Sequence, residues 1–105
     1  CGLELLIDHT AGQFGLLNRL LCSQRRQRFL QAFTACLRFY LNGLLEHYRP
    51  EFAVNQPDRE VFLDYNSHAL AGVLLEHCGR RELDRPRLAA QLERILLRQL
   101  AEPIE

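Results

Sequence analysis

Residues 58–100, DREVFLDYNSHALAGVLLEHCGRRELDRPRLAAQLERILLRQL, read as two helices joined by a short Gly/Arg turn. In helical projection the first of them is apolar almost all the way round. Val61, Tyr65 and Gly72 mark one side, Phe62, Ala69 and Val73 the next, and Leu63, Leu70 and Leu74 a third. A helix that covers one core carries a single apolar stripe. This one is therefore expected to be buried twice, once on its own domain and once on a second surface. The simplest second surface is another copy of the chain, because most soluble oligomers are symmetric homodimers. A mid-helix glycine costs about 1 kcal/mol against alanine, so Gly72, with Ala69, needs a packing reason. Either a symmetry mate's backbone approaches there or a neighbouring helix of the same protomer does, and the all-round apolarity favours the first.

Working outward, Gly79 is expected to stop this helix, and Asp84 with Pro86 to start the last one. Leu88, Leu92, Ile95, Leu96 and Leu100 give that last helix a broad apolar arc, with Gln91, Arg94 and Arg98 on the solvent side. Residues 50–57, PEFAVNQP, form the one obvious loop, in which Asn55 is expected to cap the helix that follows, with Pro57 and Asp58 in its first turn. Upstream of the loop a helix is expected from a cap at Ser23 to Arg49, where Pro50 disfavours helical backbone in the residue before it. Its inward face is read as Phe29, Phe33, Cys36, Leu37, Tyr40, Leu44 and Tyr48, with Gln31, Arg38, Asn42 and Arg49 opposite. The first helix, about Leu3 to Leu21, places Leu3, Leu6, Ile7, Thr10, Phe14, Leu17 and Leu21 on one face, and Gly12 and Gly15 predict a kink or break in it. The expected fold is all-α: an antiparallel bundle of four helices, five if the chain breaks near Gly12, dimerising through its last two.

The chain has 105 residues, 48% of them hydrophobic and 25% charged, with 13 basic and 13 acidic side chains. That is one domain, residues 1–105, with a real core and without the composition of a disordered chain. Zero formal net charge argues against strong nucleic-acid binding by these residues alone, since phosphate contacts demand a basic face. Cys1, Cys22, Cys36 and Cys78 are single, with no CxxC pair, and are expected to be reduced thiols of a cytoplasmic protein. No apolar run approaches the length that spans a bilayer, and no membrane partner is expected. The chain opens at Cys1 and contains no methionine, so an N-terminal part is expected to precede it.

The stretch YNSHALAGVLLEHCG, Tyr65 to Gly79, resembles the C-terminal domain of the TetR/AcrR family of transcriptional regulators: an aromatic, two spaced small residues at Ala69 and Gly72, then an apolar run to a turn. DRPRLAAQLERILL, Asp84 to Leu97, is similar to the family's last helix, which opens with a cap and a proline. AGQFGLLNRLLCS, Ala11 to Ser23, resembles the segment where a helix carrying an aromatic and paired leucines ends in a short polar turn. The resemblance implies a ligand-binding and dimerisation domain, preceded in the full protein by a helix-turn-helix that reads DNA. It implies a dimer interface of the last two helices, expected at Tyr65, His68, Ala69, Gly72, Leu75, Leu92, Ile95 and Gln99.

Phe14, Phe33, Tyr40 and Tyr65, with Thr34, Cys36, Leu37 and Asn66 near them, are either plain core or the wall of an apolar pocket with a few polar groups to orient a ligand. With the resemblance, the expected lining is Phe14, Leu17, Phe33, Leu37, Tyr40 and Asn66, and the expected ligand a small apolar effector. Glu60, Asp64 and His68 stand one helical turn apart, a spacing that can gather metal ligands, with Asp8, His9 and His47 as possible additions. No HExxH-type signature accompanies them, so no metal and no cofactor are expected, and His68 is read as a hydrogen-bonding histidine near the interface. Arg25, Arg26 and Arg28, and Arg80, Arg81, Arg85 and Arg87, are read as solvated clusters. No Ser/His/Asp or Cys/His spacing supports catalysis, and Cys36 on an apolar face is read as inert. The expected function is effector sensing and dimerisation in a TetR-type repressor, with no enzymatic activity. The alternative is a stand-alone all-helical interaction module without a ligand. An enzyme using a metal at Asp64 and His68 is a more distant third.

Overall fold

The computed structural model describes residues 2–51 and 56–101, and among them it shows five helices and no strand. These are α1 (Gly2–Gly12), α2 (Phe14–Leu21), α3 (Arg26–Tyr48), α4 (Gln56–His77) and α5 (Arg85–Ala101). The break expected near Gly12 separates α1 from α2 at Gln13, which keeps helical hydrogen bonds on both sides: its amide donates to His9 (3.1 Å) and its carbonyl accepts from Leu17 (3.0 Å). The chain bends there without forming a loop. Nothing lies within 4 Å of where a Cβ on Gly12 or Gly15 would stand, so these glycines act through backbone freedom and not through packing.

Ser23 does not cap α3. Its hydroxyl donates to the Leu20 carbonyl (2.8 Å) and accepts from the Arg25 amide (3.1 Å), closing the turn that ends α2, and α3 begins three residues later at Arg26. A serine free to bond its local backbone takes the nearest donor, and here the nearest donor belongs to the turn. The end of α3 falls at Tyr48, with Arg49 at φ −139° and ψ 68° ahead of Pro50, as the steric demand of proline requires. Pro50 and Glu51 are helical, and Gln56 and Pro57 already belong to α4. Both ends of the expected loop are thus helical, and the Asn55 cap lies outside the described residues. Asp84 caps α5 as expected, accepting from the Arg87 amide (3.2 Å), with Pro86 in the first turn.

Burial follows the helical faces. Leu3 and Ile7 of α1, Leu37, Leu41 and Leu45 of α3, Leu63, Leu70 and Leu74 of α4, and Leu88, Leu92, Leu96 and Leu100 of α5 form one core. Each fully buried leucine contributes about 1.5–3 kcal/mol relative to exposure. The inward face of α3 is rotated from the expected one: Leu41 and Leu45 are buried, whereas Cys36 is exposed and Tyr48 half exposed. Leucines at 37, 41 and 45 repeat every turn, and burying them outweighs burying a thiol and a phenol. Arg38, Asn42 and Arg49, expected on the solvent side, sit half buried on seams between helices. Arg38 pairs with Glu60 and Asp64, Arg59 donates to Asn42, and Arg49 donates to the Leu100 carbonyl.

The chief helix pairs are α3 with α4 and α1 with α5. Gly79, just past α4, does not take a left-handed backbone. A Cβ there would stand 2.5 Å from the Phe14 ring, so the glycine serves close approach of α2 to the turn.

Candidate functional site

Helix α4 buries Leu63, Leu70 and Leu74 against its own fold and leaves the opposite side bare. Val61 is 67% exposed and Tyr65 70%, with Ala69 and Gly72 exposed on the same side. Nothing lies within 4 Å of a Cβ built on Gly72. The neighbouring helix of the same protomer is therefore not what this glycine accommodates. Alongside, α5 presents Ile95 at 57% exposure. Between α4 and α5 runs a groove of about 190 Å³ with Tyr65, Ala69, Val73, Leu92, Ile95 and Gln99 along it.

Of the residues expected at a dimer interface, Tyr65, Ala69, Leu92, Ile95 and Gln99 share this groove, and Gly72 is exposed on the same helix. Leu92 is its buried floor. Leu75 is half buried and does not line the groove, and His68 faces away from it. His68 lines a shallow trough of about 370 Å³ between α3 and α4, with Gln27, Gln31, Thr34, Arg38, Asp64 and Ser67. Helical rotation of 100° per residue puts position 68 on the shoulder next to 64 and 67.

The six residues expected to line a ligand pocket are not brought together. Leu37 is 1% exposed in the core, Phe33 stacks on Phe29 with centroids 5.6 Å apart, and Phe14 lies under Gly79. Leu17 is half buried on α2. Asn66 is not a free handle: its amide donates to the Phe62 carbonyl (2.9 Å) and its oxygen accepts from Gln99 (3.0 Å), tying α4 to α5. Asn66 lines the α4/α5 groove and Tyr40 a separate cleft, each with companions other than those expected.

That cleft, of about 170 Å³, lies between the first turn of α1, the second half of α3 and α5, and is lined by Gly2, Leu3, Tyr40, Leu44, Tyr48, Glu93, Leu96 and Leu97. The Tyr40 hydroxyl titrates above its ordinary value, chiefly through burial and further through the negative fields of Glu93 and Tyr48. The spacing of Tyr40, Leu44 and Tyr48 puts all three on one face. Glu93 is not legible beside them, because no sequence signal says which helix α5 lies against.

Glu60 and Asp64 are both engaged by Arg38, and the His68 ring donates from Nδ1 to the Asp64 carbonyl (2.7 Å). Among the described residues no group of three or more His, Cys, Asp or Glu side chains is placed to hold a metal ion. Asp8 pairs with Arg85 (3.4 Å) and Glu76 with Arg80 (3.2 Å), so one arginine of the turn before α5 and the first residue of α5 are partnered. Cys22 and Cys36 are exposed free thiols. Cys78 is buried, 3.9 Å from the Ile7 carbonyl, and burial pushes its thiol above the ordinary range, partly offset by Arg85. No described helix is long and apolar enough to cross a membrane. Comparison with family models, curated proteins and solved structures found no match.

Proposed function

We propose that these residues are the effector-sensing and dimerisation domain of a TetR-type transcriptional regulator of the cytoplasm, with no catalytic role. The observation that carries this is the bare apolar side of α4 beside the α4/α5 groove. In the proposed dimer, α4 and α5 of each copy form a four-helix bundle, and Gly72 lets two α4 backbones approach. DNA would be bound through a preceding helix-turn-helix domain. An effector in the helical core would bias one of two relative placements of the DNA heads, since a ligand shifts an equilibrium by its differential affinity for the two states.

Sedimentation equilibrium tests the interface. The wild-type chain is expected to be a dimer at micromolar concentration, burying about 1,200–2,000 Å² in total, and Gly72→Leu to weaken it by a factor of ten or so. A monomer at that concentration, or a Gly72→Leu dimer of unchanged affinity, overturns the proposal. One observation favours the second reading, a stand-alone interaction module without a ligand: Leu37 and Asn66, expected in a pocket, are respectively packed and hydrogen-bonded.

A further inference from the structure

The cleft at the first turn of α1 has walls of one electrostatic sign. Tyr40, Leu44 and Tyr48 recur every four residues along α3, and Glu93 and Leu97 stand four apart on α5, the spacing that stacks side chains on one helix face. Leucines make the body of the cleft apolar, and Glu93 is the one charged side chain along it. Among the described residues no ion pair engages Glu93. Tyr40 and Tyr48 add two aromatic rings to the lining. His47 meets the Tyr48 ring edge-on at 4.7 Å and 88°. Gly2 lets the Tyr40 ring lie against the start of α1, because a Cβ there would stand 2.8 Å from Cε1.

Aromatic rings and a carboxylate that no described residue pairs, set in an apolar cleft, select for positive charge on an apolar body. An organic anion would meet the same carboxylate, and no cation stands among the described residues that line the cleft. The volume, about 170 Å³, is close to the roughly 150 Å³ of a cavity that holds one benzene ring. We propose that this cleft binds a small organic cation, an ammonium on a short linker to a single ring, with the ring between Leu44 and Leu97 and the charge beside Glu93, Tyr40 and Tyr48. The assignment rests on the sensing role proposed above and specifies the chemistry of the effector.

Three probes of one size separate charge from shape: phenylethylammonium, 2-phenylethanol and phenylacetate. Isothermal titration calorimetry at fixed salt is expected to rank them cation, alcohol, anion, with the cation at least about fivefold tighter than the alcohol. Glu93→Gln is expected to remove most of the cation's advantage over the alcohol, leaving the alcohol unchanged. Leu44→Trp, checked for folding by circular dichroism, fills the cleft and is expected to abolish binding of all three. Equal binding of cation and alcohol, or a preference that Glu93→Gln leaves undiminished, overturns the cation assignment and leaves the sensing role standing. Binding that survives in folded Leu44→Trp overturns the location. Absence of binding by all three at millimolar concentration overturns the cleft as a site, while the dimer experiment reads the rest of the sensing proposal independently.

Discussion

Cys78 shows how a single side chain can make stability depend on pH. It is 6% exposed, and burial raises its thiol above the unfolded value while Arg85 pulls the other way. A group whose folded value is raised holds its proton more tightly when folded. Its contribution is then complete below the unfolded value of about 8.5 and is lost as pH rises through the folded one. Urea denaturation from about pH 8 to pH 10 is expected to show wild type losing stability faster than Cys78→Ala; parallel curves would refute this. Gly79 is a steric case. Adding one methyl there meets the Phe14 ring at 2.5 Å, so Gly79→Ala is expected to cost about 1–3 kcal/mol. In a Phe14→Leu background most of that cost should disappear, a coupling that a double-mutant cycle measures directly.

At the scale of the helix, periodicity carried most of the information. Leu3, Ile7 and Thr10 fall on the expected face of α1 and are buried, because that helix offers no competing apolar stripe. Helix α3 offers two, one through Cys36, Tyr40 and Tyr48 and one through Leu37, Leu41 and Leu45, and pattern alone does not rank them. The choice is made by α4 packing against the leucines. Leu45, with 0% exposure, is expected to lose about 2–5 kcal/mol on truncation to alanine, a large part of the total stability of about 5–15 kcal/mol usual for a domain. Phe39, 82% exposed on the other side of the helix, is expected to tolerate alanine within about 0.5 kcal/mol. Reversal of that order in equilibrium denaturation would place the α3 face wrongly. The break at Gly12 and the Asp84 cap were legible because each depends on a few adjacent residues. The cleft was not, since it needs the direction of Glu93 on one helix and of Tyr40 on another, which only the packing of α5 on α1, beside α3, supplies.

The whole molecule is a slab of 42 × 30 × 17 Å with a radius of gyration of 14.4 Å, where a compact domain of this length has about 13 Å. Its accessible surface is 7283 Å² against roughly 6,100 Å² for a monomer of its size. A flattened shape exposes more surface for its volume, and Val61, Tyr65 and Ile95 lie on that surface.

The slab also brings distant parts of the chain together. Gly2 and Leu3 share their cleft with Leu96 and Leu97, and Asp8 reaches Arg85 across 77 positions. Viewed as a polymer, residues 2–101 close a loop of nearly a hundred residues, and its seam between α1 and α5 is held by noncovalent contacts. Folding must therefore meet the entropy of closing that loop, a cost that a covalent link across the seam would transfer to the unfolded state. A disulfide engineered between the first turn of α1 and the last turns of α5 should gain up to about 4.7 kcal/mol by the loop-closure relation for ~100 residues. A melting temperature unchanged by that crosslink would mean that the two helices already stay near each other in the unfolded chain.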